Sequence, residues 1–292
     1  MRIYPLLTQA EQAGLPQLAA APTLLPSKFE DSTHQIWLCD TADGRMVLKV
    51  CDHDAVAQSG FWRGVNDLFS AEFPKNLGQI KYTYALLAKQ GLYEVPVFVA
   101  SSSNRFVLTR YVAGEDIEAA QVTDAMVEEL ARHVGQLHQY RHQTWGALHA
   151  PAYKGGSWNI RLHATLLALA AQSAVAIPKL LLNEVLVQVN HLQETEFVPV
   201  MLDLRWDQFR AIDGNNELAL IDVDAFVIGP RALELVLLEY VLTPQHFAIF
   251  KAAYIANNDW PDYATQKPCY QLLLFLMGVL GETDLAKWMK RI

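Results

Sequence analysis

Cysteine is scarce in this sequence. The three that occur, Cys39, Cys51 and Cys269, are odd in number and stand in no CxxC pair and no histidine cluster. Neither a disulfide framework nor a zinc site is indicated; the pattern reads as buried thiols in a reducing compartment, so a cytoplasmic location is expected. Basic residues are outnumbered, 23 Lys and Arg against 31 Asp and Glu, for a formal charge of −8 and a pI near 5.6. Nucleic acids and anionic membranes are gripped by an excess of Lys and Arg, so neither is an expected partner. Long apolar runs are missing as well: the longest, Leu272 to Leu280, is well short of a membrane span. The N-terminal stretch carries Pro5 and Glu11 where a secretion signal needs an unbroken apolar core. Internal repeats and low-complexity linkers are absent.

What is present is apolar surface and a concentrated polar motif. With 52% hydrophobic and 18% charged residues, 292 residues can bury a sizeable core in one large or two modest domains. The strongest local signal lies between Phe197 and Tyr240. Val198 to Leu202 is an apolar strand ending in Asp203; Phe209 to Ile212 and Leu218 to Ile221 are two short apolar runs joined by Asp213-Gly214-Asn215-Asn216, a hairpin signal. The hairpin carries Asp203 at its entrance and Asp222 at its exit, so two carboxylates distant in sequence return to one end of a small sheet. Single acids at strand ends more often cap turns. Two of them with the Gln208 amide between supply the oxygen ligands that a hard cation takes and the acid that orients a nucleophile in phosphoryl transfer.

This order, Asp-Leu followed by an amide, a hairpin, Ile-Asp, then Gly-Pro and an acid in a helix, resembles the aminoglycoside phosphotransferase and choline kinase family, protein-kinase-like small-molecule kinases that include fructosamine kinases. The resemblance runs from about residue 25 to the C-terminus and is most specific over 197–240. It implies a catalytic role for Asp203, metal binding by Gln208 and Asp222, and a brace on the catalytic loop at Glu234. Met201-Leu202 replaces the His-Gly that usually precedes the catalytic Asp, and Gln208 replaces Asn.

In the N-terminal half, Gln35 to Cys39 and Met46 to Cys51 read as a hairpin turned at Asp43-Gly44. Lys49 falls in its second strand. A strand lysine usually points to water, but the resemblance makes Lys49 the residue that holds the nucleotide's phosphates. The preceding stretch Glu30 to His34, where the family has a phosphate loop, contains no glycine; Ser32, Thr33 and His34 are its candidate donors. A helix is expected over Asn76 to Gln90, and no acid occurs in it, so the usual helix partner for the lysine is missing. Glu72 from the preceding loop is the favoured substitute, with Gln79 the alternative. Val95 to Val97 begins an edge strand, and Arg105 to Tyr111 is a strand whose end, Arg110, Tyr111 and Val112, would meet adenine.

Helical spacing also marks a leading helix within Arg2 to Ala20, broken at Gly14-Leu15-Pro16, one after the N-cap Thr123 running into Leu137-His138, and others over 157–171, 178–192, 244–256, 267–281 and 283–291. His138 reads as a helix-packing or loop-bracing residue rather than a catalyst. Phe61 to Pro74 reads as an aromatic-rich insertion, and Trp260, Asp262 and Tyr263 as an acceptor loop. The fold expected is α+β and two-lobed, protein-kinase-like: residues 1–111 form a small antiparallel β lobe, and 112–292 a larger, mainly helical lobe with the catalytic hairpin 199–224. The expected activity is ATP- and Mg2+-dependent phosphoryl transfer to a hydroxyl of a small molecule. The alternative is a pseudokinase, a nucleotide-binding or scaffolding protein without transfer.

Overall fold

Pro5, Gly14 and Pro16 confine the N-terminal segment to a single helical turn, α1 (Gln9–Gln12), closed by a Thr8–Glu11 capping box. The computed structural model describes residues 3–29, 32–212 and 217–290. The leading helix expected over Arg2 to Ala20 is therefore corrected: Leu6 and Gly14 have φ of 61° and 88°. The apolar positions that suggested helical spacing serve a different surface. Tyr4, Leu7 and Leu18 pack with Cys39, Met46, Leu48, Val50, Phe106 and Leu108, covering one face of the small sheet.

That sheet starts with β1 (Thr23–Leu24) and the hairpin β2 (His34–Thr41) and β3 (Gly44–Cys51). Alternation along β3 sends Met46, Leu48 and Val50 to the covered face and Val47 and Lys49 to the opposite one. After β3 come α2 (His53–Gln58), α3 (Gly60–Phe69), a short 3₁₀ turn (Leu77–Ile80) and α4 (Lys81–Gln90). The aromatic-rich insertion is thus largely helix, with Ser59 accepting from the Trp62 amide at its start. Its face of Trp62, Val65, Leu68 and Phe69 is buried in the large core. Gly64 lets it approach its neighbours, since a Cβ there would lie 2.5 Å from Met277 Cγ. Strands β4 (Phe98–Ser101) and β5 (Phe106–Arg110) complete an antiparallel sheet of order β1-β2-β3-β5-β4, which leaves β4 at the edge as expected.

The second half begins with β6 (Glu115–Asp116), reached through Gly114, whose φ of 141° and close approach to Ala211 suit no other residue. Helix α5 (Asp124–Leu137) follows its Thr123 cap. His133, buried on α5, accepts through Nδ1 from the amides of Leu92 and Tyr93 at 3.0 and 3.4 Å, fastening the two halves. Burial drives its pKa down to about 3, which keeps the ring neutral and able to accept. Next come β7 (Thr144–Ala147), β8 (Tyr153–Lys154), α6 (Trp158–Gln172) and α7 (Lys179–His191).

The strand and hairpin that carry the acids are β9 (Val198–Met201), β10 (Phe209–Ile212) and β11 (Glu217–Leu220), with Phe209 opposite Leu220 and Ile212 opposite Glu217. The turn Asp213 to Asn216 lies outside the described residues. Strand β10 also pairs with β6, making a three-stranded second sheet, while β12 (Phe226–Gly229) joins β9, β7 and β8 in a four-stranded third sheet. Helices α8 (Arg231–Val241), α9 (Pro244–Ile255), α10 (Lys267–Met277) and α11 (Leu285–Met289) close the lobe. Most residues of α8 and α10 are buried, the polar Glu234 and Gln271 among them. Among the described residues no helix is long and apolar enough to cross a membrane.

Candidate active site

A cleft of about 790 Å³ opens between the small sheet and the second half, and Lys49, Asp203, Gln208, Asp222 and Asp224 all line it. The period-two alternation of β3 turns Lys49 into this cleft, and the return of β11 delivers Asp222 opposite. Lys49 Nζ lies 2.7 Å from Asp222 Oδ1 and 3.3 Å from Asp224 Oδ2. Burial works against the ammonium, yet the two carboxylates outweigh it and hold the Lys49 pKa above its ordinary value. Burial likewise opposes the Asp222 carboxylate, but Lys49 holds its pKa below the usual range. Asp224 is pushed up, by burial first and then by the charge of Asp222. One buried cation thus faces two acids of unequal standing.

Glu72 is not the partner of Lys49. Its carboxylate pairs with Lys75 at 2.9 Å, with half its side chain exposed, because Glu72 sits in a left-handed turn, φ 51°, that directs it outward. Gln79 makes no described contact with Lys49 either, and lines a separate small cavity. On α4 it is the buried phenol of Tyr84 that lies within electrostatic reach of Lys49. Asp224 is the acid that the sequence reading missed, although Asp222-Val223-Asp224 offers two carboxylates at alternate positions.

Asp203 follows β9. Its Oδ1 lies 3.1 Å from Arg205 Nε, and its Oδ2 accepts from Gln208 Nε2 at 3.0 Å. Burial raises its pKa to about 7, against the lowering pull of Arg205. Arg205 also lies 3.5 Å from Asp207 and 4.8 Å from the ring centre of Phe29. Because the Gln208 amide nitrogen serves Asp203, its carbonyl oxygen remains as an electron-pair donor. The Ile221 amide donates to the Gln208 carbonyl of the main chain at 2.9 Å, which ties that residue next to Asp222.

Behind the loop, Glu234 on α8 accepts from the Met201 amide at 2.8 Å and lies 2.8 Å from His138 Nε2, while His138 Nδ1 meets the Tyr254 hydroxyl at 2.9 Å. All four residues are buried. The chain at Met201 is therefore held from beneath by a side-chain network.

At the junction of the halves, Arg110, Tyr111 and Val112 line the cleft. The Tyr111 amide donates to Arg45 O, so that N–H is not free to face an adenine, while Val112 O accepts from Arg210 and keeps a second lone pair. Of the candidate phosphate loop, Glu30 and Asp31 lie outside the described residues. Ser32 Oγ donates back to His34 O and Thr33 Oγ1 accepts from Trp62 Nε1. The acceptor loop is also corrected: Trp260 packs on Phe247 and Tyr254, Tyr263 donates to Glu239, and none of them lines the cleft. Aromatic character there reflects packing. The aromatics on the cleft are Phe29, Phe61, Trp62 and Tyr111.

Residues 27–269 match the model of the phosphotransferase enzyme family. A comparison with curated protein sequences gives no match. Among solved structures the chain is similar to the choline kinase LicA from Streptococcus pneumoniae, with a TM-score of 0.62 and 15% identity over 97% of this chain and 89% of that one. It is also similar to the ADP-bound aminoglycoside phosphotransferase APH(2'')-Ib, at 0.59 and 15% over 93% of each chain. A macrolide 2'-phosphotransferase, MphH from Brachybacterium faecium, aligns at 0.57 and 13% over 96% and 94%. At these identities the likeness establishes the two-lobed kinase-like fold.

Proposed function

We propose that this chain, which belongs to the phosphotransferase enzyme family, transfers a phosphoryl group from ATP to a hydroxyl of a small molecule with the help of magnesium. The observation that carries the reading is the meeting, in one cleft, of the Lys49–Asp222 ion pair with Asp203 and Gln208. The ADP in one similar structure and the small-molecule acceptors named for others support it.

The donor set suits magnesium, which binds through one or two carboxylates together with substrate phosphates. Among the described residues no group of three or more His, Cys, Asp or Glu gathers into a metal cage. Asp222, about a third exposed toward the cleft, and the carbonyl oxygen of Gln208 would hold the ion, which when bound neutralises phosphate charge. Lys49 binds and orients the phosphates. Asp203 orients the acceptor hydroxyl and takes its proton, while Gln208 and Arg205 fix the carboxylate in place. Phe61, Trp62, Val279 and Leu280 offer apolar surface to the acceptor. Every carboxylate on the cleft among the described residues already has a basic partner: Asp116 has Lys28 and Arg210, Asp203 and Asp207 have Arg205, and Asp222 and Asp224 have Lys49. Such a cleft fits a neutral or weakly charged alcohol better than a polycation.

Nucleotide binding is read out by thermal unfolding. ATP with magnesium at about 100 times Kd should stabilise the protein by about 2.7 kcal/mol, a rise in Tm of roughly 5–10 °C. Asp222→Ala should lose most of that rise. A wild-type Tm that ignores ATP and magnesium overturns the proposal.

A further inference from the structure

We propose that Asp224 is the residue that positions Lys49, doing from within the Asp222-Val223-Asp224 segment what an acid on helix α4 would otherwise do. The inference rests on the reading of Lys49 as the phosphate-binding lysine and assigns it a fixed partner. A buried ammonium cannot stand alone, because removal from water costs far more than a protein contact returns unless an opposite charge is beside it. Nothing on α4 or on the turn before it can serve, since the stretch Leu77 to Gln90 contains no Asp or Glu, and Glu72 is spent on Lys75.

The two acids that do reach Lys49 differ in where they look. Asp222 has 34% of its side chain exposed, on the open cleft, whereas Asp224 keeps only 7% and is enclosed. The His34 ring lies 3.9 Å from the same Asp224 oxygen, and packs edge-on against Phe73, which stacks with Trp62 at 3.6 Å. Asp222 is thus free to turn to other ligands in the cleft, while Asp224 stays with Lys49 in a packed surrounding. Labour is divided within three residues: the outer carboxylate works on the cleft and the inner one holds the lysine. A further consequence is that the placement of Lys49 does not depend on α4, whose contribution on this side is the neutral phenol of Tyr84.

The test is Asp224→Asn, close to isosteric, measured beside Lys49→Met and the double variant. Losing a charged partner of Lys49 should weaken ATP binding about tenfold or more, with the magnesium concentration for half-saturation unchanged. The double variant should bind ATP no more weakly than Lys49→Met alone, because both changes break one pair. Asp224→Glu, which restores the charge, should recover most of the affinity, and it keeps the question open to measurement if the Asn variant does not fold. A large shift in magnesium half-saturation makes Asp224 a metal ligand and overturns the proposal, as does unchanged ATP affinity. Urea unfolding of the same four proteins without nucleotide tests the pair apart from the kinase reading. The double variant should lose no more stability than the worse single one, and strictly additive losses would refute the pairing. If wild type has no affinity for ATP, the kinase reading fails while this cycle still decides whether Asp224 holds Lys49.

Discussion

Asp203→Asn should lower turnover by about 10²–10⁴-fold and leave the ATP-dependent rise in Tm intact. The side chain is held by Gln208 and Arg205 at 3.0 and 3.1 Å, and the acceptor role proposed for it does not enter nucleotide binding. Asparagine keeps the shape and can still be hydrogen-bonded, but it cannot take a proton from a hydroxyl. Turnover and thermal shift measured on one preparation separate these effects. If the substitution abolishes the thermal shift as well, Asp203 belongs to the nucleotide site and its assigned role is wrong.

Glu234→Ala should cost both stability and rate. The carboxylate is 2% exposed and bonds the Met201 amide with one oxygen and His138 with the other. Its removal strands two buried polar partners at roughly 1–3 kcal/mol each, for a loss of about 2–6 kcal/mol in urea unfolding. Met201 lies two residues before Asp203, so the loop that carries Asp203 loosens too, and a misplacement of about 1 Å can cost roughly 10²-fold in rate. Glu234→Gln, which can still accept from the Met201 amide, should fall between the variant and wild type. Stability unchanged in Glu234→Ala would mean that the network braces nothing.

Much of this was legible in the sequence, and the failures have physical causes. Alternation and turn residues sufficed for β2 and β3 and for β10 and β11, whereas the meeting of Lys49 with Asp203, Gln208 and Asp222 in one cleft followed the family resemblance, since a strand lysine by itself reads as pointing to water. The place of Glu234 behind the loop, bonded to the Met201 amide and to His138, is where the resemblance put it. The partner of Lys49 did not follow. Proximity along the chain favoured Glu72, but the segment turns through left-handed residues at Ser70 and Glu72 and the Glu72 carboxylate pairs with Lys75, while the second partner, Asp224, comes from 175 positions away. At the N-terminus, positions at helical spacing turned out to pack on a sheet, since Pro5, Gly14 and Pro16 forbid more than one turn. Helix α3 was hidden by its two glycines and its aromatics, which serve close packing on the second half. Trp260 and Tyr263 misled in the opposite sense, because an aromatic cluster can be pure packing.

The most direct measurement is phosphoryl release and transfer from γ-labelled ATP with magnesium, wild type against Asp203→Asn, in water alone and with neutral sugar, amino-sugar, choline-like and glycated-amine alcohols. The account predicts that wild type hydrolyses ATP slowly, labels at least one alcohol much faster, and outpaces the variant by about 10²-fold or more. A wild-type protein that binds ATP with magnesium yet releases and transfers label no faster than Asp203→Asn would contradict it, and would make the chain a pseudokinase.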